Sequence, residues 1–240
     1  MLHRPRLTAR VAVLVCMSAS LMACTVSNVA TGDFKTIPEG SNVVLMPPDI
    51  KYFRITASGA TEPAADWTES ARTSFSGAFQ SYVDSATVDF SLTEVDELSD
   101  VGVEYDRLHS AVGSTILANY YGVTKLPSKV QAETKTSAFD WTLGPGVANL
   151  LPDQNGDYAL FVFFRDYQAS GGRVGMALFA SLAGVAIYTG HQGGFASLVD
   201  LDSGDVVWFN NLPLAQGDMR KPEGAERIVK QLLSELTEAK

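Results

Sequence analysis

The sequence predicts an α/β protein: a single-domain sandwich with a mixed β-sheet flanked by helices, carried behind an N-terminal tether. Three observations predict it. Runs of β-branched and aromatic residues alternate along the chain with segments whose apolar residues recur every three or four positions. Those are the patterns of buried strands and of amphipathic helices. One run, residues 158–164, is apolar on both faces, as a strand covered by helices on both sides has to be. The first 24 residues read basic, then apolar, then Leu21, Met22, Ala23 and Cys24, the grammar of an export segment rather than of a folded domain.

The bulk numbers limit what such a domain does. Its 240 residues suit one domain of ordinary size, and 46 % hydrophobic against 19 % charged residues can fill a core. The formal net charge is −9. Of the 18 Lys and Arg, three (Arg4, Arg6, Arg10) precede Cys24, so the chain from Cys24 onward keeps 15 against 27 acidic residues, a net of −12. An acidic surface repels phosphate backbones, which argues against a nucleic-acid partner. It equally disfavours polybasic attachment to a membrane, leaving lipid or apolar surface for that task. The two cysteines are Cys16, inside the export segment, and Cys24. The mature domain then has no free thiol, as suits an oxidising compartment.

The apolar run of residues 11–22 is too short to span about 30 Å of hydrocarbon. Leu21, Met22, Ala23 and Cys24 resemble the lipobox of bacterial lipoproteins, with Met22 where a smaller residue is usual. The resemblance implies cleavage before Cys24, a diacylglyceryl thioether on its sulfur and acylation of its amine. Residues 1–23 are then a signal peptide and 24–40 a lipidated flexible tether ahead of a periplasmic domain at 41–240. Two or three acyl chains hold a protein on a membrane where one does so marginally. The alternatives are an ordinary signal peptide cut after Ala23, or an uncleaved anchor. Thr25 stands where the enterobacterial sorting rule reads Asp as inner-membrane retention, which implies the periplasmic face of the outer membrane, with inner-membrane retention as the alternative. Residues 25–40 are mostly small and polar, as in a flexible linker.

Within the domain, residues 42–46 are β-branched and apolar and stop at Pro47 and Pro48, so they read as a buried first strand. Residues 52–56 extend a second, exposed strand, and 62–65 are a loop. Asp66 with Glu69 three residues on has the form of a capping box. Trp67, Ala71, Phe75, Ala78, Phe79 and Tyr82 then make a helical stripe. Residues 88–92 alternate as a short strand. A longer helix runs from Val95 through Tyr105 and Val112 to Ile116, with Gly122 placed to end it. Residues 124–138 form a polar connection, and Val147, Leu150 and Leu151 a short helix. After the central strand come strands at 195–199 and 206–209, joined by a tight reversal in which Gly204 supplies the positive φ. Pro222 and Glu223 open a last helix with Ala225, Ile228, Val229, Leu232 and Leu233 on its buried side.

Val43, Val44, Leu45 and Met46 before two prolines, Gly156 and Asp157 before Tyr158, and the pair Ser197 to Leu201 and Gly204 to Trp208 resemble the corresponding strands of the curli-secretion CsgG, TolB N-terminal and GNA1162-like group of periplasmic lipoproteins. The likeness spans most of residues 42–235 in short motifs. It implies an α/β fold, an outer-membrane lipoprotein and often a ring or other oligomer, and it carries no catalytic residue over. The apolar insertion at residues 174–188 departs from the group's pattern.

That insertion is the one odd segment. Residues 174–199 contain no Asp, Glu, Lys or Arg, and 174–188 are apolar and rich in small residues, between Arg173 and Tyr188. Ala177 with Ser181, and Ala180 with Gly184, have the spacing that lets two helices approach closely. Three readings compete: a buried element covering the sheet, a protein interface through Met176, Leu178, Phe179, Leu182, Val185 and Ile187, or contact with a bilayer.

Catalytic patterns are missing. Only His109 and His191 follow Cys24, on different elements, and zinc needs three or four close His or Cys ligands. No Gly-x-Ser-x-Gly elbow or Walker A pattern occurs. The glycines at 190, 193 and 194 lack a following lysine and read as a strand-linking loop. Asp200, Asp202 and Asp205 lack the remainder of a calcium loop and read as a hairpin turn. The three tryptophans lie on periodic stripes, which favours core packing. The expectation is a non-enzymatic cell-envelope lipoprotein without cofactor or metal, a structural or assembly component with protein partners or copies of itself. The alternative is a periplasmic small-molecule or glycan-binding module, which requires a pocket with convergent polar groups.

Overall fold

The computed structural model describes residues 28–31, 34, 36–85, 91–94, 98–129, 139–150 and 156–237. Strand β6 (Tyr158–Ala169) organises them. Its side chains alternate, with Leu160, Val162 and Phe164 buried in one apolar cluster and Ala159 and Phe161 in another on the opposite face. One edge of β6 pairs antiparallel with β7 (Gly190–Asp200), which continues antiparallel to β8 (Val206–Leu212) and on to the edge strand β1 (Asn28–Thr31). The other edge takes two parallel strands in succession. β2 (Asn42–Leu45) pairs with Tyr158–Leu160, and β3 (Asp49–Ile55) pairs with Phe163–Ala169. Pro47 and Pro48 fall between them because proline has no N–H to offer the ladder. Beyond β2 lies parallel β5 (Ser91–Glu94), and beyond β3 antiparallel β4 (Thr61–Pro63). The sheet is mixed, as expected.

Helices cover both faces. α1 (Ala65–Asp84) and α4 (Pro222–Leu232) lie on one face, with Ala71, Phe75, Ala78 and Phe79 against Ala225, Ile228, Val229 and Leu232. Asn210 Nδ2 donates to the carbonyls of Gln231 and Leu232 at 2.8 Å each, satisfying acceptors that the end of α4 leaves free. α2 (Asp100–Tyr120) covers the other face, and its buried residues are Gly102, His109, Gly113 and Ile116. The small residues allow close approach: a Cβ on Gly113 would stand 2.1 Å from Cε2 of Phe195. Gly122, with φ +71°, follows the end of α2 as expected. Trp208 and Trp141 are buried in the two clusters.

Several local expectations differ. The first helix begins at Ala65 with Ala64 as its N-cap and no side-chain cap, so Asp66 lies inside the first turn and the capping box does not form. α2 is capped by Ser99 Oγ, which accepts from the Gly102 amide at 3.1 Å; residues 95–97, where the helix was expected to start, lie outside the described residues. The expected loop at 62–65 is the end of β4 and the start of α1, and the short helix is 3-10 over Pro145–Asn149, with Leu151 outside the described residues. The stretch assigned to a flexible tether is drawn into the fold at Asn28–Thr31 and again at Ile37, which is buried. Backbone pairing, which small polar residues do not forbid, overrides their composition there. The glycines at 190, 193 and 194 lie within β7 instead of a loop. A Cβ on Gly194 would meet the Phe163 carbonyl oxygen at 2.1 Å, and one on Gly190 that of Tyr167 at 1.7 Å. Glycine is what lets β7 close onto β6.

Candidate docking surface

β6 and β7 pair from Tyr158↔Asp200 to Gln168↔Gly190 as one long antiparallel ribbon. The apolar insertion sits on its upper end. Ile55 is in register with Ala169, so the β3–β4 turn ends at the same level. Ser170 is the N-cap of α3 (Gly171–Leu182), its Oγ accepting from the Arg173 amide at 3.4 Å. At the other end Gly184, with φ +73°, donates to Ser181 O and Val185 donates to Ala180 O, at 3.0 and 2.9 Å. This is a Schellman closure, and it reverses the chain without a polar side chain.

The hairpin is pinned at its base. Arg173 Nε donates to the Tyr188 carbonyl at 2.7 Å, and a Cβ on Gly59 in the β3–β4 turn would lie 3.0 Å from Arg173 Nη1. Tyr188 shares a hydrogen bond with His191 Nδ1, and His191 stacks on Tyr167, which stacks on Phe53. Above this base none of the described residues covers α3. None of its residues is buried, and Leu178, Phe179 and Leu182 are 65 %, 78 % and 86 % exposed. Met176 and Val185 are exposed as well, while Ile187 is half-buried. Seven of the thirteen exposed large hydrophobic residues among those described lie between 174 and 188. The reading of this insertion as core does not describe the folded chain. What remains is a surface that is free to dock.

A second feature lies at the carboxyl end of β2, where α1 sits on one face of the sheet and α2 on the other. Such a switch point leaves a crevice in α/β sheets. Here it holds about 700 Å³, lined by Pro47, Asp49, Lys51, Arg72, Val103 and Asp106 among others. Asp49 accepts from Arg165 Nη2 at 2.5 Å and pairs with Lys51 Nζ at 2.8 Å. Burial pushes its carboxyl up, but the two cations outweigh burial and hold it below the usual range. Burial, then the Asp49 charge, push the half-buried Asp106 above that range. Neither carboxylate was singled out from the sequence, because they lie on different elements that only the fold brings together.

His109 is enclosed within the sandwich. Its Nε2 is 2.9 Å from Ser197 Oγ, its ring stacks on Phe161, and Nδ1 has no hydrogen-bond partner. Burial lowers its pKa to about 3, so it is neutral and structural. His191 is about the hairpin's base, far along β7 from Ser197. Among the described residues no group of three or more His, Cys, Asp or Glu could hold a metal ion. Asp200 Oδ1 instead accepts from the amides of Asp202 and Ser203, and Gly204 has φ +82°, which makes that acidic stretch a turn.

No family model matches the chain, and no curated protein matches it by sequence. Among solved structures it is similar to the PelC dodecamer from Paraburkholderia phytofirmans, with a TM-score of 0.36 and 12 % identity over 89 % of this chain and 99 % of that one. A point variant of the same dodecamer gives a TM-score of 0.37 and 10 % identity over the same shares. Scores at this level establish neither a common fold nor a common role.

Proposed function

We propose that the protein is a lipid-anchored, non-enzymatic component of the bacterial cell envelope, held on the periplasmic face of the outer membrane through Cys24, and that it serves assembly by docking through α3. The observation that carries this reading is α3 itself: a charge-poor apolar helix on a rigid ribbon, with none of its residues buried. A monomer gains nothing from exposing such a surface, which marks a site of association. The lipobox at Leu21, Met22, Ala23 and Cys24 and the resemblance to periplasmic lipoproteins of the CsgG group support the anchor and the compartment. The test is to replace Leu178, Phe179 and Leu182 by Ser in the lipidated protein and compare it with the parent by light scattering and by resistance of the membrane-bound form to extraction. Loss of a defined assembly or of tight attachment supports docking. A variant indistinguishable from the parent in both removes it.

The crevice favours a second reading, a small-molecule or glycan-binding module. Its volume suits a small ligand, and Asp106 and Arg72 offer groups of opposite charge from opposite helices. Saturable binding of a polar ligand that disappears on Asp106→Asn supports it, and a crevice that binds nothing in a screen of periplasmic sugars and amino acids counts against it.

A further inference from the structure

We propose that the partner of α3 is the lipid bilayer that holds the acyl chains on Cys24, so that the protein stands on its membrane at two points. This rests on the lipid-anchor reading and names the occupant of its docking surface.

The strand directions carry the argument. β6 runs upward into α3, so β7 runs down, β8 up and β1 down. The amino end of β1 therefore points to the α3 end of the sheet. Asn28 is level with Asn211, Phe195 and Phe163 across the four strands. From Phe163 the ribbon climbs five residues to Gln168, about 17 Å. Cys24 precedes Asn28 by four residues, a reach of at most about 14 Å. The anchor and the apolar helix thus leave the sheet at the same end. A tether this short holds α3 against the surface its own lipid occupies, and such proximity populates even a weak contact.

Charge points the same way. The chain has 27 acidic residues, yet none falls in 55–61 or 167–194, the described stretches that meet at this end, or in residues 24–28 leading into β1. Glu62, opposite Arg54 at the level of Gln168, is the exposed acid at their border. Asp218, which approaches this level where Arg220 reaches Gln168, is neutralised by Arg220 at 2.8 Å. The base of the hairpin carries Arg173, Tyr188 and His191, residue types that suit the boundary between headgroups and hydrocarbon. Above them the helix is apolar. Twelve residues span about 18 Å, and no helix among the described residues is long and apolar enough to cross a membrane. α3 therefore lies in the interface instead of spanning it.

The mature protein offers a direct test, because Cys16 leaves with the signal peptide and the Cys24 sulfur is blocked by its thioether. Phe179→Cys, and separately Ser203→Cys at the opposite end of the sheet, are labelled with a nitroxide in the full lipidated protein. Each is reconstituted into phosphatidylethanolamine and phosphatidylglycerol vesicles. The expected result is a ratio of oxygen to nickel-chelate accessibility at least threefold higher at 179 than at 203. Equal, water-like accessibility at both positions overturns the bilayer contact. A label at 179 shielded from both reagents and dipolar-broadened between copies overturns the bilayer contact and leaves docking intact, with a second copy as the partner. The intact mass of the same preparation reports the acyl chains, and their absence overturns the anchor on which the proposal rests.

Discussion

The guanidinium of Arg173 and the carbonyl of Tyr188, 2.7 Å apart, tie the start of α3 to the leg that returns from it. Fifteen residues of apolar chain hang on that contact, on the Schellman closure at Gly184 and on the two strands below. The bond is open to solvent, so its net worth is about 1 kcal/mol. Arg173→Met is expected to speed amide exchange across residues 183–189 by about fivefold, a local opening of that size, while the melting temperature stays put. Hydrogen-exchange mass spectrometry reads the first and calorimetry the second.

The exposed residues of α3 contribute little to folding. Leu178→Ser, Phe179→Ser and Leu182→Ser should each shift the stability by no more than about 0.5 kcal/mol, as surface substitutions do. Phe161→Ala, in the cluster under α2, should cost about 3–5 kcal/mol through lost burial and the cavity it leaves. Urea unfolding of the four variants separates the two classes, and a large loss at any α3 position would show that the helix belongs to the core.

The contact between α2 and the sheet is set by Gly113. Alanine would ordinarily stabilise a helix interior by about 1 kcal/mol. Here its methyl would enter the Phe195 ring, 2.1 Å from Cε2, and Phe195 is fixed by stacking on Phe163 and Phe209. Overpacking of that kind costs about 1–3 kcal/mol. Gly113→Ala should therefore lower the urea midpoint, whereas Gly77→Ala on α1, where a Cβ meets nothing within 4 Å, should raise it.

How far these relationships could be read beforehand depends on their range. The central strand was legible because an apolar run on both faces has few other homes, and β2 because prolines cannot join a ladder. The stripes of α1 and α4 were legible from their period. What could not be read were partners distant in sequence. The glycines of β7 look like a loop until Phe163 and Tyr167 are placed opposite them. Asp49 and Asp106 are two ordinary acids until α2 brings them to one crevice. The insertion was visible as odd, but an apolar period does not say which way a helix faces, and only the folded chain shows that none of the residues of α3 is buried.

Enclosure of His109 makes stability depend on pH in a definite direction. Burial holds its folded pKa at about 3, against 6.5 for the free side chain. The unfolded chain therefore takes up a proton that the folded one refuses, and stability is full above about pH 6.5 and falls as the pH drops from there toward 3. Between pH 7 and 5 the loss amounts to about 2 kcal/mol. His109→Gln removes the titrating group. It is expected to be less stable than the parent at pH 7 and to recover about that amount relative to it by pH 5. Parallel urea titrations at the two pH values give the difference, and a constant gap would show that water reaches the imidazole.

Asp106 shows the opposite sign, and it separates stability from binding in the crevice. Its carboxyl is raised by burial and then by the Asp49 charge, so ionising it at neutral pH works against the fold. Because the folded state holds that proton more tightly, this contribution to stability declines as the pH rises through the carboxylate range. Asp106→Asn removes the charge while keeping the shape, and should raise the melting temperature by about 2 °C at pH 7, with a smaller gain at acidic pH, where more of the carboxyl is protonated. Natural sequences keep such a destabilising charge where it has work to do. If the crevice binds a cationic or polar ligand, the same substitution should weaken that binding at least tenfold while the protein melts higher. A variant that melts higher and binds as before would place the ligand elsewhere.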